Sequence, residues 1–404
     1  MSVAALPSAS TESSTEQAGH AERAGDSVWE LMAVGGITLV LFPLAWLLRA
    51  SLGLDEAELV VGFVMFHAAS FMNDPHFAVT YLLFYKDVRA RAQRARYLIA
   101  GFVVPAVLVV WAAWALFARS AQALGFMAQL MFLLVGWHYA KQGFGVLTVL
   151  SARRGVRFAA SERNVVLAHC YAAWAFAFAN PSRAAGTFEE KGVVYWAPAR
   201  PGWLELASGT ALVLSTLALV FVLAAKWRRE GALPFTPLLG FLVTIWFWTI
   251  YTTIDPLVRY VIPALHSLQY IYFVWLMKRN EARAGEELFG PPVRTRLAVL
   301  ALSAFALGWA LFRGVPNLLD TSVASSWANE STARSLGETP FFAAFFIVVN
   351  LHHYFMDYVI WRRDNPDTRY LHEPEPRRAR AGISPGSFAV RYSPQAMPHD
   401  DLRI

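Results

Sequence analysis

The chain is divided into long apolar runs, each about as long as a lipid bilayer is thick. A membrane-spanning helix needs about 20 predominantly apolar residues. Ten segments approach or exceed this length: 28–48, 58–84, 97–117, 122–150, 163–180, 203–225, 234–254, 256–277, 295–314 and 340–361. Charged residues make up 16% of the chain, against about a quarter in soluble domains. The sequence therefore predicts an all-α fold, a polytopic bundle of about ten transmembrane helices.

The loops between these runs alternate between basic and nearly uncharged composition. Lys and Arg are concentrated at 86–96, 153–157, 226–229, 278–283 and 362–363, and are sparse at 49–57 and 315–339. Because basic loops stay on the cytoplasmic side, this alternation predicts ten spans with both termini in the cytoplasm. The excess of Arg over Lys suggests a bacterial inner membrane. The same clustering explains the net charge of +6, so we expect the lipid bilayer as a partner and no nucleic acid.

The two ends of the chain differ from its middle. Residues 1–27 are rich in Ser, Glu, Ala and Gly without an apolar period, which predicts a disordered tail. Residues 362–404 are rich in Pro, Arg and Asp, which predicts a disordered cytoplasmic tail. The transmembrane domain is therefore expected over 28–361. The single cysteine, Cys170, excludes an intramolecular disulfide and a metal site built on several thiolates of this chain.

Histidine inside the apolar runs is the strongest functional signal. An ionisable side chain at membrane depth is costly and indicates function by default. Seven of the ten histidines fall inside the predicted spans: His67, His76, His138, His169, His266, His352 and His353. For four of them, we count the residues between the histidine and the basic residues that end its span. At a rise of 1.5 Å per residue, these four histidines lie roughly 13–23 Å from the cytoplasmic boundary. These four are His76, His138, His266 and His353. Four helices offering imidazole at one depth predict a buried site for a metal ion or haem.

Helical spacing separates the histidines that share a site from those that do not. His352 points about 100° away from His353, so the two cannot aim at one point without distortion. In the second span, His67 and His76 lie on stripes that point in nearly opposite directions, and depth favours His76. Which of these two stripes faces the site stays open at this point.

Other polar residues accompany the histidines inside the spans. Asp357 shares a helical face with His353, and Gln142 shares one with His138. We predict that Asp74, Gln142 and Asp357 orient imidazole rings or accept protons. Lys141 is an unusual intramembrane cation that we expect to neutralise a carboxylate such as Asp74, or to extend towards the membrane surface.

Three segments resemble the intramembrane histidine motifs of the bacterial β-carotene-cleaving membrane dioxygenases, the bacteriorhodopsin-related-protein family. They are Phe71-Met72-Asn73-Asp74-Pro75-His76, Trp137-His138-Tyr139 and His266-Ser267-Leu268-Gln269. The resemblance covers the motif helices, and it implies a polytopic fold whose histidines hold a non-haem iron. The family's Pro-His-Gly-Ala pattern stands here as Pro75-His76-Phe77-Ala78, and its second histidine after the His-Ser-Leu element is Tyr270.

The leading hypothesis is an iron-dependent membrane oxygenase or related oxidoreductase that acts on an apolar lipid, polyene or isoprenoid. The metal ligands would be His76, His138, His266 and His353, with His352 as a substitute or additional ligand, and the assisting residues would be Asp74, Lys141, Gln142 and Asp357. A second hypothesis is a haem-binding electron-transfer protein with paired axial histidines. A third is a proton-coupled transporter in which His, Asp74, Lys141 and Asp357 form a relay.

Overall fold

The structure is a computed structural model that describes residues 28–91, 94–179, 184–231, 233–251, 256–285, 292–327 and 331–371. Within these ranges the chain is almost entirely helical, which confirms the predicted all-α class. The predicted tail at 1–27 and the residues from 372 onward lie outside the described residues.

Ten main helices coincide with the ten apolar runs. Helix α1 is a bent pair, Val28–Gly36 and Thr38–Leu52, with an angle of 50° between its parts. The others are α2 (Leu54–Tyr85), α3 (Ala95–Phe117), α4 (Ala121–Arg153), α5 (Ala160–Ala179), α6 (Gly202–Glu230), α7 (Phe235–Ile250), α8 (Pro256–Gly285), α9 (Val293–Ser322) and α10 (Pro340–Ile360). Short helical turns at Val88–Arg91, Ala324–Trp327, Ser331–Leu336 and Pro366–Leu371 connect or follow them.

Several of these helices are apolar and long enough to cross a membrane, which indicates a multi-pass membrane protein. By length and composition, α3, α4, α6, α9 and α10 qualify among the described residues, and the bent α1 makes a sixth. The count of ten is therefore not reached on these criteria. Helix α2 is 32 residues long, but Asn73, Asp74 and His76 reduce its mean hydropathy. The polar residues that suggest a site are thus also what makes the span harder to identify.

Helix α10 is the most enclosed of the qualifying helices. In its most apolar stretch 72% of the residues are buried, against 17% for α6 and for α9. It packs against α2, α3 and α4. Large apolar side chains such as Val110, Leu214 and Leu302 are exposed on α3, α6 and α9. This arrangement suits a bundle with α10 inside and a lipid-facing belt around it.

Both ends of α10 are fixed by contacts with other elements. At its start, the Asp320 carboxylate at the end of α9 accepts hydrogen bonds from the Phe341 and Phe342 amides, at 2.8 and 3.0 Å. These are amides that the helix itself leaves unpaired. Beyond its end the chain folds back, and Asp367 lies 2.7 Å from an Arg91 guanidinium nitrogen. The turn Pro366–Leu371 packs on α8, so ordered structure continues for some residues beyond residue 361.

The ion pairs around Asp367 lie beyond the end of α10, outside the spans. Partial burial would by itself raise the pKa of the Asp367 carboxyl. The hydrogen bonds and positive charges of Arg91 and Lys86 outweigh that effect and hold this pKa below its ordinary value. The carboxylate is therefore charged at neutral pH and connects the returning segment to the end of α2.

A β-hairpin not predicted from the sequence joins α5 to α6. Strands β1 (Gly186–Glu190) and β2 (Val193–Ala197) pair antiparallel. Residues alternate between buried and exposed along β2, as in a strand with one covered face. Its Tyr195 lies so close to Gly125 of α4 that a Cβ added at Gly125 would clash with the tyrosine ring. The Gln122 side chain exchanges two hydrogen bonds with the backbone of Trp196, at 2.9 and 3.0 Å. The hairpin thus covers the start of α4.

Close contact between α2 and α9 predicts an effect on stability. A Cβ added at Gly308 would lie 2.7 Å from the carbonyl carbon and oxygen of Asp74. We expect Gly308→Ala to reduce the free energy of unfolding by about 1–3 kcal/mol, because backbone must move. Gly145→Ala is the matched control, since nothing lies within 4 Å of its added Cβ, and Ala favours a helix over Gly by about 1 kcal/mol. Thermal unfolding in detergent measures both, and equal melting temperatures for the two variants would contradict the close packing.

Candidate metal centre

Four imidazole rings from four different helices meet in the interior of the bundle. His76 of α2, His138 of α4, His266 of α8 and His353 of α10 each offer a nitrogen, and these four atoms all lie within 4.8 Å of one another. All four side chains are buried. Ring centroids are 4.6 Å apart for His76 and His353, 4.8 Å for His138 and His266, and 4.9 Å for His76 and His266 and for His138 and His353. Each ring therefore contacts two others in a closed group, which we call the histidine cluster.

One pair of ring nitrogens is spaced as two ligands of one ion would be. Nε2 of His138 and Nε2 of His266 are 3.1 Å apart. Two nitrogens bound to one ion at about 2.0–2.1 Å would lie roughly 3.0–3.4 Å apart when adjacent. His76 Nε2, His266 Nδ1 and both nitrogens of His353 have no hydrogen-bond partner among the described residues. A buried polar atom without a partner costs about 1–3 kcal/mol, and a bound ion would remove that cost for the one nitrogen of each ring that binds it.

The orientation of His76 is fixed by a hydroxyl group on α8. Ser267 Oγ lies 3.1 Å from His76 Nδ1, 3.0 Å from Asn73 Oδ1 and 2.7 Å from the Pro263 carbonyl oxygen. With one proton, the hydroxyl donates to one of the two oxygens and accepts from the Nδ1–H of His76. This arrangement leaves the lone pair of His76 on Nε2, the nitrogen that has no other partner. A contact of this kind orients a metal-binding imidazole.

One carboxylate touches the histidine cluster. Asp357 Oδ2 lies 3.3 Å from His353 Nε2 and 3.8 Å from His138 Nε2. Its other oxygen accepts a hydrogen bond from the Tyr270 hydroxyl at 2.8 Å, and Thr80 Oγ1 lies 2.7 Å from that hydroxyl. Asp357 is therefore placed to offset positive charge at the cluster, while Tyr270 and Thr80 hold it in position.

Gln142 supports the cluster without touching an imidazole ring. Its Nε2 donates to the His266 carbonyl oxygen at 3.3 Å and to Gln269 Oε1 at 2.6 Å. Gln269 in turn donates to the Val34 carbonyl oxygen of α1 at 2.6 Å. These bonds join α4 to α8, and the predicted role of Gln142 in orienting a ring stays a prediction.

Three other predicted site residues lie away from the cluster. His352 has separate partners, because its Nδ1 lies 3.0 Å from the Tyr81 hydroxyl and its Nε2 lies 3.0 Å from the Ala100 carbonyl oxygen. The expectation that His352 substitutes for a ligand or adds one does not match this geometry. Asp74 Oδ2 lies 3.7 Å from Arg313 Nε. Lys141 does not pair with it, since its ammonium lies near the rings of Phe144 and Tyr171.

The structure also separates the remaining intramembrane histidines from the cluster. His67 is exposed and contacts Phe63 and Phe66, so of the two histidines of α2 only His76 belongs to the cluster. His169 of α5 faces α6, and its Nδ1 lies 3.2 Å from Ser215 Oγ.

Sequence reasoning missed Arg313 and the roles of Ser267, Thr80 and Tyr270. Arg313 could have been noticed, because it is a cation near the end of the apolar run 295–314. For the three hydroxyl groups, the helical position was known, but nothing in the sequence gave their partners on other helices.

A cavity of about 820 Å³ reaches the histidine cluster at His266. At that end Tyr139, Asn73 and Tyr354 line it, and at the other end it reaches the β-hairpin. The cluster is thus buried but connected to a space large enough for an organic molecule, since small-molecule sites commonly measure 300–1,000 Å³. Comparison of the chain with protein-family models, with curated proteins and with solved structures found no match.

The neighbouring histidines of α10 provide a direct test of the metal centre. We expect detergent-purified protein to contain about one transition-metal ion per chain, because four imidazoles converge. His353→Ala should lose most of that metal. His352→Ala, one residue away and also buried, should retain it. Elemental analysis of the three proteins measures this, and equal loss in both variants would argue against the cluster as the binding site.

Proposed function

We propose that this chain is a non-haem iron membrane oxygenase or related oxidoreductase that acts on an apolar substrate. The observation that carries the proposal is the histidine cluster, with four buried imidazoles inside 4.8 Å beside a cavity that reaches His266. An iron ion held by the four imidazoles would supply the activation of oxygen. The resemblance of the motif helices to the β-carotene-cleaving dioxygenases is part of the same proposal.

The residues around the cluster have separate tasks in this proposal. His76, His138, His266 and His353 bind the ion, and Ser267 orients His76. A divalent ion bound by four neutral imidazoles keeps its full charge in a medium of low dielectric constant, where uncompensated charge is costly. Asp357, 3.3 Å from His353, compensates part of that charge or holds a proton, with Tyr270 as its hydrogen-bond donor. Burial of the cluster excludes bulk water.

The contacts among the rings favour a single ion over haem. Axial imidazoles of a haem stand on opposite faces of a flat macrocycle. Here each ring contacts two neighbours at centroid distances of 4.6–4.9 Å, which leaves no space for a macrocycle between them. The transporter hypothesis required Asp74, Lys141 and Asp357 in one relay, whereas Asp74 lies beside Arg313 and Lys141 beside two aromatic rings.

Metal identity and an open coordination position can be tested together. We expect the bound metal to be iron and the optical spectrum to show no Soret band. Under anaerobic conditions, nitric oxide binds ferrous iron where a position is open to an exogenous ligand, so it should produce the paramagnetic resonance signal of a non-haem iron nitrosyl. Asp357→Asn should weaken iron retention because one compensating charge is removed. Zinc in place of iron, a Soret band, or iron that does not respond to nitric oxide would refute the oxygenase proposal.

We also propose ten spans with both termini in the cytoplasm of a bacterial inner membrane. The carboxyl ends of α2, α4, α6, α8 and α10 carry or precede the basic residues, whereas the hairpin lies near their amino ends. Single-cysteine variants in a Cys170→Ser background test this arrangement. An impermeant thiol reagent should label Thr187→Cys in the hairpin on intact spheroplasts, and Arg283→Cys after permeabilisation. The reverse pattern would invert the orientation.

A further inference from the structure

We propose that the cavity binds a single-chain amphiphile with no net charge, with its polar head at the β-hairpin and its hydrocarbon chain directed towards His266. Binding of this molecule depends on the cavity alone. The assignment of its inner end as the part presented for reaction rests on the proposed function.

The cavity extends along one face of α2 for several helical turns. Glu58, Gly62, Met65, Ala69 and Asn73 all line it, and their spacing of three or four residues places them on one face of α2. Fifteen residues separate the first from the last, which corresponds to about 22 Å at 1.5 Å per residue. One helix face thus follows the cavity from its mouth to the histidine cluster, a length that suits an extended chain.

The middle of the cavity is lined by hydrocarbon and aromatic side chains. Phe132 and Val135 of α4, Trp174 of α5 and Phe342 and Phe346 of α10 form walls in this region. Walls of this kind favour apolar surface, at about 25 cal/mol per Å² removed from water. The part of the occupant that lies here is therefore a hydrocarbon chain.

The cluster is closed on the side opposite the cavity. There Asp357, Tyr270 and Thr80 are buried and bonded to one another, and Gln142 is bonded to Gln269. Among the described residues, this network occupies the space through which a molecule would otherwise approach from the basic ends of the helices. An occupant therefore reaches His266 from the hairpin end, with its inner end leading.

Charges at the mouth of the cavity balance. Three cationic and three anionic side chains line this end: Lys191, Arg200 and Arg259, and Glu58, Glu189 and Glu190. Lys191 lies 3.9 Å from Glu190, and the deeper pair of Asp74 and Arg313 is also of opposite sign. An anionic or cationic head group would be attracted by one set and repelled by the other. A hydroxylated or zwitterionic head meets both donors and acceptors without net repulsion, which is why we assign an occupant without net charge.

Photolabelling of the full chain tests the proposal, and the result does not depend on whether a metal is bound. The probe is hexadecanol with a diazirine near the end of its chain, and the matched probes carry a carboxylate or an ammonium group on the same chain. We expect the alcohol to label peptides of α4 and α10 that contain Tyr139 or Tyr354, which line the inner end of the cavity. It should do so severalfold more than either charged probe, and unlabelled hexadecanol should compete. Equal labelling by a charged probe, or labelling confined to the exposed faces of α6 and α9, would overturn the assignment.

Two variants separate the cavity from the lipid-facing surface. Ala69→Trp places an indole in the cavity on α2, and Val64→Trp places one on the exposed side of the same helix, where Val64 is 50% exposed. Labelling of α4 and α10 should fall severalfold in the first variant and stay unchanged in the second. Ala177→Trp, on the α5 wall, should repeat the loss, and unfolding temperatures verify that the variants fold. Unchanged labelling in both cavity variants would refute the binding site. Labelled wild-type protein without stoichiometric metal would instead refute the proposed function alone.

Discussion

Burial of four imidazoles in the interior is the constraint around which this bundle is organised. Every ring carries two polar nitrogens, and polar groups at membrane depth need partners inside the protein. Ser267 partners His76, and the rings of His138 and His266 approach each other at 3.1 Å. Among the described residues, four ring nitrogens of the cluster accept or donate no hydrogen bond. Since an incomplete polar network is worse than an apolar core, the cluster is best understood as a set of donors arranged for a positive ion.

The positions of neighbouring elements follow from that constraint. Helix α10 carries His353 and Asp357 and is the most enclosed of the qualifying spans. Apolar helices α6 and α9 lie outside and present large side chains outward. The hairpin covers the start of α4, so the space above the histidines is bounded by protein on that side. The histidine cluster therefore lies inside the bundle, and large apolar side chains face outward.

Much of the fold and the choice of histidines could be predicted from the sequence, because both depend on distances along one helix. Run length located ten helices, and depth selected His76, His138, His266 and His353 from seven candidates. Helical angle separated His352 from its neighbour. The hairpin was missed because its strands are five residues each and occupy a short connection between two spans. The count of ten transmembrane spans stays a prediction.

Contacts between helices could not be predicted in the same way. The sequence shows which residues share a face of one helix, but not which face of another helix that face meets. We therefore predicted Lys141 as a possible partner of Asp74, whereas in the structure Arg313 of α9 lies beside Asp74. Tyr270 stood out as a departure from a family motif, yet its hydroxyl binds Asp357.

The anchoring of α10 has a consequence for the two adjacent histidines. A rotation of α10 by about 100°, the angle between successive residues of a helix, would bring His352 towards the cluster and carry His353 away from it. The sequence therefore offers two rotations of α10 that each place a histidine at the cluster. The Asp320 cap at one end and the Asp367 ion pairs beyond the other oppose such a turn. Specificity between two identical side chains thus depends on the ends of the helix, far from the imidazoles, as well as on the hydrogen bonds of His352 itself.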